Sequence, residues 1–267
     1  MMRKAKEIPF WKHIEELRKH VIRCFFSVII FTVLLMNNKY ILFDYIIFGP
    51  IKKDFFTYRL FYKLTKFFGI NLKSIFFLSK NIEIQNRKIF GQFNTYMWTC
   101  VIGGFILSFP YIFYEFWKFL KPALSYKEKI YSKSLIFIVS ILFIIGIFFG
   151  YYILFPFLIH FGYYFKISSV PKNIFDLSDY ISLITYSVLS MGITFLFPFF
   201  IYILSKMNLI SHNFLKKYRK HALLIMMIIA SAITPGDIFS TIVVLIPLLI
   251  LYETSIWISF YIKKDFL

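Results

Sequence analysis

The sequence predicts an all-α, polytopic membrane protein with six transmembrane helices. Of its 267 residues, 59% are hydrophobic and only 16% are charged, and the mean hydropathy is +0.71. Soluble domains carry about 45–50% apolar and about 25% charged residues, so this chain has too few polar side chains to cover a soluble surface. Several apolar runs also approach or exceed the roughly 18 residues that mark a membrane span. We therefore predict that residues 1–267 form a single membrane domain.

The predicted spans follow an amphipathic helix at the N-terminus. Apolar residues recur at near-helical spacing within residues 1–20, which is typical of a cytoplasmic helix lying at the membrane surface. The six spans are predicted at about 21–38, 96–119, 134–161, 180–205, 221–235 and 238–262. The first apolar run extends toward Phe48 before Pro50 stops it, and a long polar loop occupies about 50–94.

Two of these spans have distinctive features. The third contains Gly146 and Gly150, a GxxxG pair that favours close helix packing. The fifth apolar run, Ala222–Ile233, has only 12 residues and is joined by a short turn to the sixth span, which makes a short hairpin. At about 1.5 Å per residue, this run covers about 20 Å of a roughly 30 Å hydrocarbon core. Neighbouring helices must shield it, or the bilayer must thin around it.

The distribution of basic residues predicts the orientation. Lys and Arg are concentrated before the first span, between spans two and three, between spans four and five, and at the C-terminus. The loop after the third span carries only Lys166 and Lys172. Because basic loops stay in the cytoplasm, we predict a multi-pass protein of the bacterial inner membrane with both termini cytoplasmic. The loop at about 50–94 would then be extracytoplasmic; it is itself basic, but long loops count for less in this rule.

Several functional classes are disfavoured by the composition and the motifs. The formal net charge of +18 does not indicate nucleic-acid binding, because the basic residues lie between apolar runs rather than along one face. The sequence has no GxxxxGK[ST], HExxH, GxSxG or CxxC motif, and its five His residues are scattered. Both cysteines fall in apolar segments, so neither a disulfide nor a metal site is expected. We expect no enzyme activity and no cofactor.

Acidic residues in three segments stand out in this basic chain. Judged from the residues alone, Glu16 and Glu128 are solvated acids that offset basic loops, and Asp237 is an N-cap of the last helix. Glu253 is harder to explain, because an acid within a span is costly unless it is paired or hydrated. An alternative function follows from this: in an ion-coupled small-solute transporter, Glu253, Asp237 and Glu115 would be the ion or substrate sites.

These segments contain four sequence blocks. The first, H-[LI]-x-E-L-R, is matched by His13, Glu16, Leu17 and Arg18. The block P-x-x-x-Y-x-x-W-x-F-x-x-P-[AG]-L followed by a Glu is matched by Pro110, Tyr114, Trp117, Phe119, Pro122, Ala123, Leu124 and Glu128. The block F-x-Y-x-x-x-x-P is matched by Phe149, Tyr151 and Pro156. The block T-P-x-D-x-x-S followed by P and [YF]-E is matched by Thr234, Pro235, Asp237, Ser240, Pro247, Tyr252 and Glu253. The blocks occur in order across almost the whole chain, and together they resemble the TatC family of twin-arginine translocase subunits.

The chain departs from the family pattern at two positions. Many members carry Glu or Gln just before the proline of span four, where this chain has Leu196. Many members have Gln after the hairpin serine, where this chain has Thr241. An intramembrane polar role at position 196 is therefore not expected here, and we expect Leu196→Ala to disturb only local packing.

The resemblance implies a receptor that binds twin-arginine signal peptides and helps to export folded proteins at the expense of the proton-motive force. A carboxylate binds a guanidinium group through two parallel hydrogen bonds, so acids on a basic cytoplasmic face are suitable contacts for two adjacent arginines. The signal-binding residues are predicted to be Glu16, Arg18, Phe119 and Glu128. Further functional candidates are His13, Leu17, Pro50, Pro110, Trp117, Pro122, Asp237 and Glu253. The implied partners are TatA/TatB-type small membrane subunits, the signal peptides of folded cargo, other copies of this chain and the lipid bilayer.

Overall fold

The computed structural model describes residues 10–52, 54–67, 82–120, 132–168, 170, 172–207, 209–234 and 238–264. Within these ranges the chain is helical almost throughout. The α-helices are α1 (Phe10–Asn37), α2 (Phe56–Phe67), α3 (Gly91–Leu120), α4 (Ser132–Phe149), α5 (Phe155–Tyr164), α6 (Leu177–Thr194), α7 (Phe197–Lys206), α8 (His212–Lys217), α9 (Arg219–Ile233) and α10 (Ile238–Lys264). Two short strands, β1 (Ile84–Gln85) and β2 (Phe175–Asp176), pair in parallel.

Five of the described helical stretches are long and apolar enough to cross a membrane. They are Ile14–Asn37, Gly91–Leu120, Leu135–Tyr164, Leu177–Lys206 and Ser240–Tyr261. The remaining predicted span corresponds to α9, whose 15 residues rise about 22 Å, so it is the short helix that the sequence indicates. The prediction of an all-α, multi-pass membrane protein is confirmed.

The N-terminal part of the fold differs from the sequence-based prediction. A surface helix followed by a separate span beginning near residue 21 was expected, whereas α1 is one continuous helix from Phe10 to Asn37. The physical reason is that neither Gly nor Pro occurs within this segment, so nothing interrupts the backbone hydrogen bonds between its polar and apolar halves.

Prolines account for the interruptions in the third and fourth spans. Proline lacks an N–H and clashes with the carbonyl four residues earlier. Pro156 follows a π-helical turn, Gly150–Leu154, and the carbonyl of Tyr152 accepts a hydrogen bond from the hydroxyl of Thr57 instead. Pro198 lies in the first turn of α7, and α6 ends four residues earlier at Thr194.

The described residues group into two compact units. The first contains the residues up to Lys39 together with those of Met97–Ser140, and the second contains those of Tyr40–Tyr96 and Ile141–Leu267. In the first unit, α1 and α3 run antiparallel: a Cβ on Gly103 would lie 2.7 Å from Leu35, whereas Glu115, further along α3, contacts His20. Glycines at this crossing let the two helix backbones approach closely.

In the second unit, the third and fourth spans pack against each other at two glycines. Gly146 lies in α4, and Gly150 lies in the π-helical turn that follows α4. A Cβ on Gly146 would lie 2.6 Å from the carbonyl oxygen of Met191, and one on Gly150 would lie 2.8 Å from the Cα of Val188. The predicted role of this glycine pair in helix packing is confirmed. The core beside it includes the buried side chains of Leu154, Leu158, Met191, Val244, Leu248 and Tyr252.

Tyrosine hydroxyls hold the segment that follows α1. This segment forms a π-helical stretch, Ile41–Ile47, and a 3₁₀ turn, Gly49–Ile51. The carbonyl of Ile46 accepts from the Tyr151 hydroxyl and that of Ile47 from the Tyr180 hydroxyl, both at 2.7 Å. The carbonyl of Pro50 accepts from the buried Tyr58 hydroxyl at 3.0 Å, and burial raises the pKa of Tyr58, which keeps this donor protonated.

Candidate functional site

A buried carboxylate joins α1 and α3 within the first unit. Glu115 is only 3% exposed. One of its oxygens lies 2.5 Å from Nδ1 of His20 and 3.6 Å from Nη1 of Arg23, both on α1. A buried acid is strongly destabilising without such partners, so the two basic side chains explain how α3 tolerates it.

The face of α3 beside Glu115 is aromatic and well packed. Phe109, Phe113 and Trp117 lie one helical turn apart, and each is at most 8% exposed. Their rings stack in succession, with centroids 6.3 Å and 6.2 Å apart. Pro110 lies inside this helix. Trp117, a predicted functional residue, therefore helps to form the apolar support of α3.

Two of the predicted signal-binding residues, Glu16 and Phe119, each lie one helical turn from a member of the His20–Glu115 contact. Phe119 is one turn after Glu115, and its ring meets that of His20 edge to face at 6.1 Å. Glu16 is half-buried and lies one turn before His20 on α1. Because residues four apart share a helix face and the helices are antiparallel, Glu16 and Phe119 lie at the same end of the α1–α3 pair.

The same end of α1 carries several basic side chains. Arg18 and Leu17 are exposed, and Lys19 forms an ion pair with Glu15 at 2.9 Å. No ion pair to Glu16 is found among the side chains that the structure describes. Glu16 is thus a half-buried acid two residues from the exposed cation Arg18.

The remaining predicted residues are distributed elsewhere. Glu253 lies in α10, half-exposed, with an oxygen 2.8 Å from Nη2 of Arg219. Pro50 is buried in the 3₁₀ turn. Leu196, at 6% exposure, lies in the turn between α6 and α7. The residues Pro122, Glu128 and Asp237, and the side chain of His13, lie outside what the structure describes.

Sequence reasoning missed His20 and Arg23 and gave Glu115 a different role. Glu115 was considered only as an ion site of the alternative transporter. The sequence did contain a signal for this contact. An acid inside an apolar run is costly unless a basic side chain lies at a similar depth in the membrane. His20 and Arg23, at the start of the first predicted span, are such partners.

The arrangement is suited to binding a cationic group. In the described part of the chain, no three His, Cys, Asp or Glu side chains lie close enough together to hold a metal ion. A half-buried carboxylate beside an aromatic ring can accept hydrogen bonds from a cationic group while the ring contacts apolar atoms of the same ligand.

Comparison with known proteins gives consistent matches over nearly the whole chain. The profile of the family "Sec-independent protein translocase protein (TatC)" matches residues 12–247. A Sec-independent protein translocase protein TatC of Blattabacterium sp. subsp. Periplaneta americana is 69% identical over 264 residues, with 99% of both chains covered. A TatC of Carboxydothermus hydrogenoformans is 32% identical, with 98% of this chain and 97% of the relative covered.

A solved structure agrees with these relatives. The crystal structure of a twin-arginine translocase receptor, TatC, superimposes with a TM-score of 0.72 at 26% identity, covering 94% of this chain and 99% of that chain. These matches do not favour the solute-transporter alternative. Both of its candidate acids that the structure describes, Glu115 and Glu253, are paired with basic side chains of the same unit.

Proposed function

Because the chain belongs to the TatC family and is a subunit of the twin-arginine protein translocase, we propose that the Glu16 end of the α1–α3 pair binds the arginine pair of the signal peptide. The observation that carries this proposal is the half-buried carboxylate of Glu16 at the same end of the α1–α3 pair as Phe119, in a segment rich in Lys and Arg. An arginine pair approaching such a surface is attracted only where an acid is not already neutralised.

The neighbouring acids serve other purposes in this proposal. Glu15 is neutralised by Lys19, and Glu115 is engaged by His20 and Arg23, so neither is the main contact. Glu115 instead sets the spacing of α1 and α3, and with it the distance between Glu16 and Phe119. Glu128, which follows α3 in the sequence, supplies the second carboxylate, one for each guanidinium group of the signal.

The proposed setting is the bacterial inner membrane with both termini in the cytoplasm, since the signal is presented there. The partners are TatA/TatB-type small membrane subunits, signal peptides attached to folded cargo, and further copies of this chain. The proton-motive force drives transport, and the subunit itself performs no covalent chemistry and uses no cofactor. The basic segments near Arg18 and Lys216 support this orientation by the positive-inside rule.

The decisive experiment compares two adjacent acids of α1. We expect Glu16→Gln to weaken binding of a labelled twin-arginine signal peptide by roughly 10- to 150-fold, since a hydrogen bond to a charged group contributes about 1.5–3 kcal/mol. Glu15→Gln is the matched control. It removes the same negative charge from the adjacent residue, whose carboxylate is exposed and already paired with Lys19. Glu128→Ala should weaken binding similarly, and the double variant should nearly abolish it.

The affinity is measured by titrating the peptide against the purified full chain in detergent, with a Lys-Lys signal in parallel. Equal loss of affinity in the Glu15 and Glu16 variants would mean that only net charge matters. Equal binding of Lys-Lys and Arg-Arg signals by the unsubstituted chain would contradict recognition of guanidinium groups by these carboxylates.

A further inference from the structure

A cavity with a cationic wall lies at the end of α10, in the second unit. Its volume is about 330 Å³, and it is lined by His212, Lys216, Arg219, Ile256, Trp257, Phe260 and Tyr261. The basic side chains come from α8 and the first residue of α9, and the apolar and aromatic ones come from α10. Tyr261 is also the last residue of the membrane-spanning stretch Ser240–Tyr261, so the cavity lies at the depth where a span meets lipid headgroups.

The wall of this cavity is held in place by several contacts. The Tyr252 hydroxyl donates to the carbonyl of Leu215 at 2.9 Å, which fixes α8 against α10. Nδ1 of His212 lies 3.3 Å from the carbonyl oxygen of Ile256, and its ring meets Phe260 edge to face at 5.3 Å. The basic side chains are therefore carried by a packed corner of the fold.

An apolar groove continues from the cavity along the outer face of α10. It has a volume of about 680 Å³ and is lined by Leu249, Ile250, Glu253, Thr254, Trp257, Ile258 and Tyr261, so the two features share Trp257 and Tyr261. From residue 249 to residue 261 the helix rises about 18 Å, which is close to the roughly 15 Å depth of one bilayer leaflet. Arg219 offsets the negative charge of Glu253 through their ion pair, which leaves Lys216 as the main source of net positive charge in the cavity.

We propose that the cavity and the groove together bind one anionic phospholipid. The phosphate lies among His212, Lys216 and Arg219, and an acyl chain follows the groove past Ile250, which is 59% exposed. The complementarity of charge at one end and of apolar surface along one leaflet selects this occupant. Basic pockets beside transmembrane helices are suited to anionic headgroups, whereas a zwitterionic headgroup brings no net charge to the cations.

The test is native mass spectrometry of the delipidated full chain titrated with phosphatidylglycerol, with phosphatidylcholine and with inorganic phosphate. We expect phosphatidylglycerol to bind most tightly, and Lys216→Gln to weaken it about 10-fold, as expected for loss of one charge-assisted contact. Lys217→Gln is the matched control: Lys217 does not line the cavity and lies over the Tyr218 ring at 5.9 Å. A second variant, Ile250→Trp, fills the groove and should weaken the lipid without changing the basic cluster.

Several results would overturn the proposal. If phosphatidylcholine bound as tightly as phosphatidylglycerol, the charge of the headgroup would not contribute to binding. If inorganic phosphate bound as tightly as the lipid, the groove would not contribute. If Lys216→Gln and Lys217→Gln weakened lipid binding equally, the lipid would be attracted by the overall positive charge of this surface and not by the cavity. A photocrosslinker at position 257 in native membranes should capture phospholipid; capture of a protein helix alone would assign the groove to a protein partner.

Discussion

At the scale of single residues, the buried pair of His20 and Glu115 is the contact on which the candidate site depends. The carboxylate is 3% exposed and receives both His20 and Arg23, so α1 and α3 cannot slide past each other without leaving a charge unpaired. Their register, in turn, places Glu16 and Phe119 at the same end of the pair. Glu115, which does not contact the signal peptide in our proposal, thus determines where the contact residues Glu16 and Phe119 lie.

This argument predicts the effect of removing the carboxylate. Glu115→Ala should lower the free energy of unfolding by about 1–3 kcal/mol, because His20 and Arg23 lose a buried partner. It should also weaken signal-peptide binding, although Glu16 is intact. Thermal unfolding in detergent and peptide titration measure the two effects. Glu15→Gln, which breaks an exposed i,i+4 pair, should change stability by only about 0.5 kcal/mol. Unchanged stability of Glu115→Ala would show that the carboxylate does not hold the two helices.

At the scale of elements, the third and fourth spans are held close by glycines. Gly146→Ala would place a methyl group 2.6 Å from the Met191 carbonyl oxygen and 2.9 Å from the Cα of Gly192, and both are backbone atoms that cannot rotate away. We expect a loss of about 1–3 kcal/mol in the free energy of unfolding from this overpacking. Gly162→Ala is the matched control, since its methyl would lie 3.4 Å from the Phe175 ring. Equal thermal stability of the two variants would disprove tight packing at Gly146.

The elements also show what could be predicted from the sequence. The spans were predictable because lipid requires long apolar helices, and the ends of α3 and α10 and the start of α4 fall near the ends of the apolar runs. A helix at the start of α1 was also predictable from the spacing of its apolar residues, but its unbroken continuation into the first span was not predicted. The π-helical stretch at Ile41–Ile47 could not be predicted, because the carbonyls at its end are held by tyrosines of distant segments. The interruption at Gly150–Leu154 has a signal in the sequence, since Pro156 follows it.

The candidate site was predictable only in part. Glu16 and Phe119 could be named from motif positions, but the contact that brings their helices into register joins residues 95 apart in the chain. Its geometry depends on how closely α1 and α3 approach at Gly103 and Gly104, which no local pattern specifies. The cationic cavity on α10 was not foreseen either, because its basic and aromatic residues come from three helices.

At the scale of the whole molecule, the orientation in the membrane is open to a direct test. In a chain whose Cys24 and Cys100 are replaced by serine, we expect Lys172→Cys to react with a membrane-impermeant maleimide on intact cells. We expect Asn213→Cys to react only after permeabilisation, because it lies in the basic segment that contains Lys216 and Lys217. Reaction of Asn213→Cys on intact cells would contradict the six-span arrangement with cytoplasmic termini.

The tyrosine bonds to the segment after α1 have a consequence for the order in which the chain is assembled. The carbonyls of Ile46 and Ile47 receive hydroxyls from residues 105 and 133 positions later. At a synthesis rate of about 10 residues per second, these donors emerge from the ribosome roughly 10 s after the acceptors. Throughout that interval the segment after α1 lacks the tyrosine donors that bind these two carbonyls in the folded protein. This corner of the protein is therefore completed only after the fourth span has begun to insert, and a nascent chain arrested before Tyr180 should be open to proteolysis there.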